Sequence, residues 1–229
     1  MLGIIGAMDV EVAALKNNVE NKSVSVFAGI EFVCGTIEGV DVCVAQCSPG
    51  KVNAALCTQL MIDKFDIDYV INVGIACSLD NSVVIKNLVV ANEVCQYDFD
   101  TSAIDGVKGL IFDDVIKIPT DKALSDTLIK AVEACGRNAH IGCIASGDTF
   151  IASQQLKDEI HTDFGAICGE MEGGAIGQVC YVNKIPFAVL RSVSDGGDEK
   201  AQIDYPTFKH IAAEISGDII LEALKRMEN

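Results

Sequence analysis

The sequence predicts an α/β domain with a largely parallel or mixed sheet, on three observations. Apolar runs of strand length alternate with segments of helical period along the chain. An early group of short strand-like runs adds antiparallel pairing. No Pro-, Gly- or Ser-rich linker and no internal repeat divides the 229 residues, so 1–229 reads as one domain.

Taken in order, 2–7 reads as a buried strand and 10–16 as a helix opened by Asp9. Residues 24–28, 31–37 and 40–46 read as a meander with a turn at Glu38-Gly39. Over 50–62 a helix is predicted, with Val52, Ala55, Leu56 and Leu60 on its buried face. Strands at 69–75 and 87–95 follow. Pro119-Thr120-Asp121 then opens a helix whose Leu124, Leu128, Ala131, Val132 and Cys135 form one stripe. A strand at 139–145, a helix near 153–161, a strand at 166–169, a helix at 173–182 and a strand at 186–193 come next. The last helix is expected from about Pro206, with Phe208, Ile211, Ala212, Ile215 and Ile219 inward. Residues 98–114, acidic and glycine-containing, read as an excursion or partner-facing loop.

Composition narrows the function classes. With 17 basic and 33 acidic side chains the formal charge is −16, which argues against nucleic acid and anionic membrane as partners, since clustered Lys and Arg hold those. Arginine occurs only at Arg137, Arg191 and Arg226. The 10 cysteines include no C-x-x-C pair and no zinc-type spacing, and most sit in apolar runs, as small hydrophobes of a reduced, cytoplasmic protein. The first residues carry no basic n-region, so no signal peptide is expected. No apolar run approaches the roughly 20 residues of a membrane span.

Motifs for dinucleotides, P-loop phosphates, H-E-x-x-H zinc and G-x-S-x-G nucleophiles are all missing. Carboxylates at the C-terminal ends of predicted strands remain, at the sheet edge where open α/β folds bind ligands. The first place is Met8-Asp9-Val10-Glu11, where Glu11 taken alone reads better as a first-turn acid favoured by the helix dipole. The second is Gly169-Glu170-Met171-Glu172-Gly173-Gly174, which also fits a helix N-terminus. The third is Arg191-Ser192-Val193-Ser194-Asp195-Gly196-Gly197, where an Asp before two glycines also fits a turn. Three such acids together suggest convergence on one site.

Gly3-Ile4-Ile5-Gly6-Ala7-Met8 with Glu11, Ser146-Gly147-Asp148-Thr149-Phe150-Ile151, Glu170-Met171-Glu172 and Arg191 to Asp195 resemble the signature segments of 5′-methylthioadenosine/S-adenosylhomocysteine nucleosidases, a family of the nucleoside phosphorylase superfamily. The resemblance runs nearly end to end and includes Gly50-Lys51-Val52 and Asn72-Val73-Gly74. It implies a three-layer α/β/α fold around a mixed, partly barrel-like sheet, and a homodimer in which residues 98–105 lie near the neighbour's pocket. It also implies a small-molecule adenine nucleoside as substrate and irreversible hydrolysis of its N-glycosidic bond, with no metal and no cofactor.

By the same resemblance Asp195 is the acid toward adenine N7, its pKa raised by burial. Glu11 orients and deprotonates the attacking water with Arg191 nearby. Glu172, beside Met171, binds the ribose hydroxyls and stabilises the oxocarbenium charge. Phe150 stacks on adenine, the Ile151 backbone bonds its edge, and Met8 lines the 5′-alkylthio pocket. Ile75, Glu170, Arg191, Ser194 and Tyr205 complete the implied substrate contacts.

The chain departs from the family pattern in three places. Ile75 stands where relatives have a Ser that helps hold the water, and Ile75 has no side-chain hydrogen bond to give. Pro49 stands near the expected 5′-substituent, and Tyr205 replaces a rim Phe. These differences bear on turnover and on the preferred 5′-group. The rival readings are a purine nucleoside phosphorylase, a nucleosidase for 5′-deoxyadenosine or aminofutalosine, and a non-catalytic adenosine-binding relative.

Overall fold

The computed structural model describes residues 1–112 and 114–227. The chain runs β1 (Leu2–Gly6), α1 (Asp9–Asn18), β2 (Glu20–Phe27), β3 (Ile30–Ile37), β4 (Val40–Gln46), α2 (Lys51–Lys64), β5 (Tyr69–Ser78) and β6 (Leu88–Gln96). It continues through α3 (Ser102–Asp105), β7 (Lys117–Pro119), α4 (Lys122–Ala134), β8 (Ala139–Ser146) and α5 (Gln154–Phe164). The last elements are β9 (Ala166–Glu170), α6 (Gly173–Asn183), β10 (Phe187–Asp195) and α7 (Ala201–Leu224).

The sheet is mixed and closes on itself in part. β10 pairs with β6 antiparallel and with β5 parallel, and the path β6-β8-β9-β5 completes a ring of strands. β1 adds to β5, and β4, β3 and β2 extend outward as the expected meander, with β7 beside β6. The tight turn between β3 and β4 falls at Glu38 (φ 50°) and Gly39 (φ 80°), both left-handed, which matches the twist of the flanking strands.

Alternation along the strands divides the core into two layers. Ile4, Val44, Ile71 and Leu190 face α1, α4 and α7 through Leu15, Leu128 and Ile219. Ile5, Cys43, Ala45 and Val189 face α2 and α6 through Cys57, Met61 and Ile176. Helices on both faces of the sheet give the three-layer architecture.

Four expectations are corrected. In α2 the buried residues are Ala54, Cys57, Thr58 and Met61, while Val52 is 78% exposed and Leu56 45%. The Thr58 hydroxyl is satisfied inside the helix by donating to the Ala54 carbonyl (2.7 Å), so a polar residue can face the core. α7 begins at Ala201, not Pro206, because Ile203 and Asp204 already donate to the Lys200 carbonyl; the proline sits inside the helix. Its inward stripe runs through Ala212, Ala213, Ser216 and Ile220 as well as Ile215 and Ile219, leaving Ile211 exposed. Cys135 is also exposed, at the C-terminal cap of α4, one position beyond the buried stripe.

β5 and β10 run longer than predicted, and this places the functional residues. The two strands stay paired through Ile75↔Ser192 and Ala76↔Val193, then shift register so that Asp195 faces Cys77. The bulge leaves Ser194 as the extra residue and turns the strand end, a device common beside binding sites.

Candidate active site

A cavity, open at its mouth, lies where β1, β5, β9 and β10 end, at the sheet edge where open α/β folds bind ligands. Met8, Glu11, Ile75, Phe150, Ile151, Glu170, Met171, Glu172, Ser194, Asp195 and Tyr205 all line it. Arg191 does not. It lies fully buried, 1% exposed, and reaches the cavity only through the carboxylates it holds. Ala7, Pro49, Ala76, Cys77, Thr149 and Gly169 complete the wall.

Glu11 enters from the first turn of α1 and is clamped by backbone donors. Ala7 and Met8 donate to Oε2 (2.8 and 2.9 Å), and the Ile75 N–H donates to Oε1 (3.0 Å). The Ile75 side chain cannot donate, but its main chain fixes the neighbouring carboxylate. Burial raises the Glu11 pKa against the opposing pull of the Arg191 charge and these donors. Gly74 is required by this approach, because a Cβ there would lie 2.6 Å from Glu11 Oε1. Gly74→Ala is therefore expected to retain the fold yet displace the Glu11 carboxylate and, if Glu11 acts in the chemistry, lower turnover by about 10²-fold; circular dichroism with steady-state assay checks both halves.

Glu170 and Glu172 sit at the end of β9 and the N-terminal cap of α6. Although Glu170 touches the cavity, its oxygens are engaged beneath it: Arg191 Nη2 and the Ser146 hydroxyl donate to it, as do the N–H groups of Glu172 (3.0 Å) and Gly173 (2.8 Å). Arg191 Nη2 also donates to Asn72 Oδ1 (2.5 Å). Glu172 is less committed. Its Oε1 accepts from the Gly50 N–H (3.0 Å) and its Oε2 lies 3.9 Å from Arg191 Nη2. Burial and the adjacent Glu170 charge push its pKa up to about 8.

Asp195, 1% exposed, accepts from the Ser194 hydroxyl (2.8 Å) and the Gly197 N–H (3.1 Å). Burial nevertheless raises its pKa. Across the mouth, the Phe150 and Tyr205 rings meet edge to face with centroids 5.3 Å apart, and the Tyr205 hydroxyl contacts Met8 Sδ at 3.2 Å. The motifs Asn72-Val73-Gly74 and Ser146 to Ile151 gave no reason to single out Asn72, Ser146 or the Gly50 N–H. Each acts by holding a carboxylate or the arginine, and nothing in local sequence period signals such a role. Among the described residues no cluster of metal-ligating side chains occurs.

Such a site suits acid–base work on a neutral ligand with an aromatic portion. A phosphorylase superfamily model matches residues 1–225. A nucleosidase for 5′-methylthioadenosine and S-adenosylhomocysteine from Halalkalibacterium halodurans is 37% identical over 231 residues, covering 99% of this chain and 98% of its own. The structure of the nucleosidase of that name from Neisseria meningitidis, in complex with methylthio-immucillin-A, matches with a TM-score of 0.95 at 32% identity over 99% of both chains. A futalosine hydrolase of Helicobacter pylori matches with a TM-score of 0.94 at 31% identity, covering 99% of this chain and 97% of that one. The chain belongs to the 5′-methylthioadenosine/S-adenosylhomocysteine nucleosidase family of the phosphorylase superfamily.

Proposed function

We propose that the protein is an N-ribosyl hydrolase that releases adenine from 5′-methylthioadenosine, S-adenosylhomocysteine or both. The carrying observation is that Glu11, Glu172 and Asp195, three buried carboxyls with raised pKa values, face one cavity. Asp195, its pKa raised by burial, donates to adenine N7 as the glycosidic bond lengthens. Glu11 accepts the proton of the attacking water. Glu172, with Met171 beside it, holds the ribose hydroxyls, and its carboxyl group faces the sugar. Phe150 provides the face for the base, Ile151 and Ser194 its edge, and Met8, Pro49, Ile75 and Tyr205 the remaining wall. No cofactor enters this reading.

Hydrolysis is favoured over phosphorolysis by the cavity wall. It carries Glu11, Glu170, Glu172 and Asp195 and no Lys or Arg, so a phosphate would meet acids rather than cations. Incubation with 5′-methylthioadenosine, S-adenosylhomocysteine, 5′-deoxyadenosine and aminofutalosine, with and without phosphate, tests the reading. The expected products are adenine and a free ribose derivative, independent of phosphate. A 1-phosphate product would make it a phosphorylase, and ligand binding without product would make it a binding protein. Strong preference for aminofutalosine would move the protein beside its futalosine hydrolase neighbour.

Ionisation in the folded state gives a pH signature. Folding favours the protonated form of Glu172, so its contribution is complete below about pH 4, the ordinary carboxylate range, and is lost as pH rises toward about 8. The raised Glu11 and Asp195 act in the same direction. Melting of the substrate-free protein is expected to drop between pH 5 and pH 8, and Glu172→Gln to flatten that slope. A melting temperature that climbs across the window in both proteins contradicts this.

The protein is further proposed to act as a cytoplasmic homodimer. No described helix is long and apolar enough to cross a membrane. The outward face of α2 (Val52, Leu56) adjoins α6, whose Tyr181 and Val182 are exposed and whose Tyr181 stacks on Phe112 at 5.8 Å. Residues 98–105 add two more exposed apolar side chains, Phe99 and the 91% exposed Ile104. Sedimentation is expected to give twice the chain mass, and Leu56→Glu to give monomer.

A further inference from the structure

Three separate rim segments meet in a closed ring of charged groups outside the cavity. Lys51 Nζ donates to Asp98 Oδ1 (2.6 Å) and to Gln96 Oε1 (3.2 Å). The Asp148 N–H donates to Asp98 Oδ2 (2.8 Å), and the Lys51 N–H, at the start of α2, donates back to Asp148 Oδ1 (2.7 Å). None of the three side chains lines the cavity, but the segments of Lys51 and Asp148 continue into its wall at Pro49 and Thr149. Gly50, beside Lys51, sends its N–H to Glu172, and Phe150 lies two residues after Asp148.

We propose that Lys51, Asp98 and Asp148 are positioning residues that lock the Pro49-Gly50 loop onto Glu172 and tie it to the Phe150 wall, so that the sugar and base ends of the site keep a fixed spacing. The proposal rests on the nucleosidase reading. Gly50 has φ of 101° and no side chain of its own; α2 holds the Pro49 and Gly50 carbonyls through Asn53 and the Ala54 N–H, and the Lys51 side chain ties this loop to the 98 segment. The ion pair is half-sheltered, with the lysine and aspartate side chains 16% and 26% exposed, so it is better protected than an open surface pair. Asp98 supplies both arms of the ring. It accepts from the 51 segment with one oxygen and from the 148 segment with the other. Removing it unties both segments from the 98 segment at once and leaves only the Lys51 N–H to Asp148 bond between them, whereas changing the Lys51 side chain unties one.

The test uses Lys51→Met, Lys51→Arg and Asp98→Ala in the full chain. Two readouts are needed: steady-state adenine release from 5′-methylthioadenosine, and backbone amide exchange at Gly50 and Asp148 in the resting protein. Lys51→Met is expected to lower kcat about tenfold while KM changes less than threefold, with faster exchange at Gly50 alone. Asp98→Ala should accelerate exchange at both positions and lower kcat further. Lys51→Arg, which can still reach Asp98, should restore kcat to within about threefold of wild type. Unchanged amide protection in Lys51→Met and Asp98→Ala overturns the ring. So does a kcat loss that Lys51→Arg fails to rescue, since any disturbance of α2 would give that. If wild type releases no adenine, the nucleosidase reading fails by itself, and the exchange data still decide whether the ring holds the loop.

Discussion

Asp195→Asn is expected to lower adenine release by roughly 10²–10⁴-fold, the usual contribution of a positioned proton donor, while leaving binding of methylthio-immucillin-A measurable by calorimetry. The substitution keeps the shape at the end of β10 and loses only the acidic proton. An amide can still donate to a ring nitrogen, so the base remains held, but it cannot neutralise the charge that gathers on departing adenine. In the wild type both Asp195 oxygens have protein donors, the Ser194 hydroxyl and the Gly197 N–H, and these alone would pull the pKa down. Burial overcomes them, so the pH profile carries a second signature. Wild-type kcat/KM should fall at high pH as Asp195 ionises, and the residual activity of Asp195→Asn should lack that limb. Turnover within tenfold of wild type would remove Asp195 from the acid's role.

Much of this was readable from the order of residues. Strand and helix alternation gave the α/β class, because two-residue and 3.6-residue periods are local properties. The acids at strand ends could be paired with a ligand because open sheets bind at that edge. What local pattern could not show is which side of an element finds a partner. In α2 the run Val52, Ala55, Leu56 and Leu60 looked like a core stripe, but the core took the Ala54, Cys57, Thr58 and Met61 face. Val52 and Leu56 point outward, while Ala55 and Leu60 lie half-buried against the core's edge. Pro206 misled for a related reason: proline commonly opens a helix, but here Lys200 had already started it. Within the site, Arg191 was read as a contact of the substrate, yet it lies under the floor. Its role depends on Asn72 and Glu170, distant in sequence by 119 and 21 residues. Contacts of that kind are set by strand register, and the β10 bulge that turns Asp195 into place is itself a register shift.

Arg191→Met is expected to cost stability more than any other single change considered, about 3–5 kcal/mol, as for a buried ion pair deprived of one partner. The guanidinium is the cation around which Glu170, Glu172 and Glu11 are assembled, and these acids outweigh burial and keep it charged. Methionine fills much of the same volume, so the loss would be electrostatic more than a matter of packing. At about 2–4 °C per kcal/mol for a chain of this size, melting should fall by roughly 6–20 °C. Two controls separate this from simple misfit. Lowering the pH to 5 should restore part of the loss, because the abandoned carboxyls can then take up protons. Combining Arg191→Met with Glu170→Gln should also be less destabilising than the sum of the single changes, because the neutral amide no longer needs a cation beneath it. If the double variant is simply additive and its melting is indifferent to pH, Arg191 is a packing residue, and the acids of the site must be held apart by their backbone donors alone.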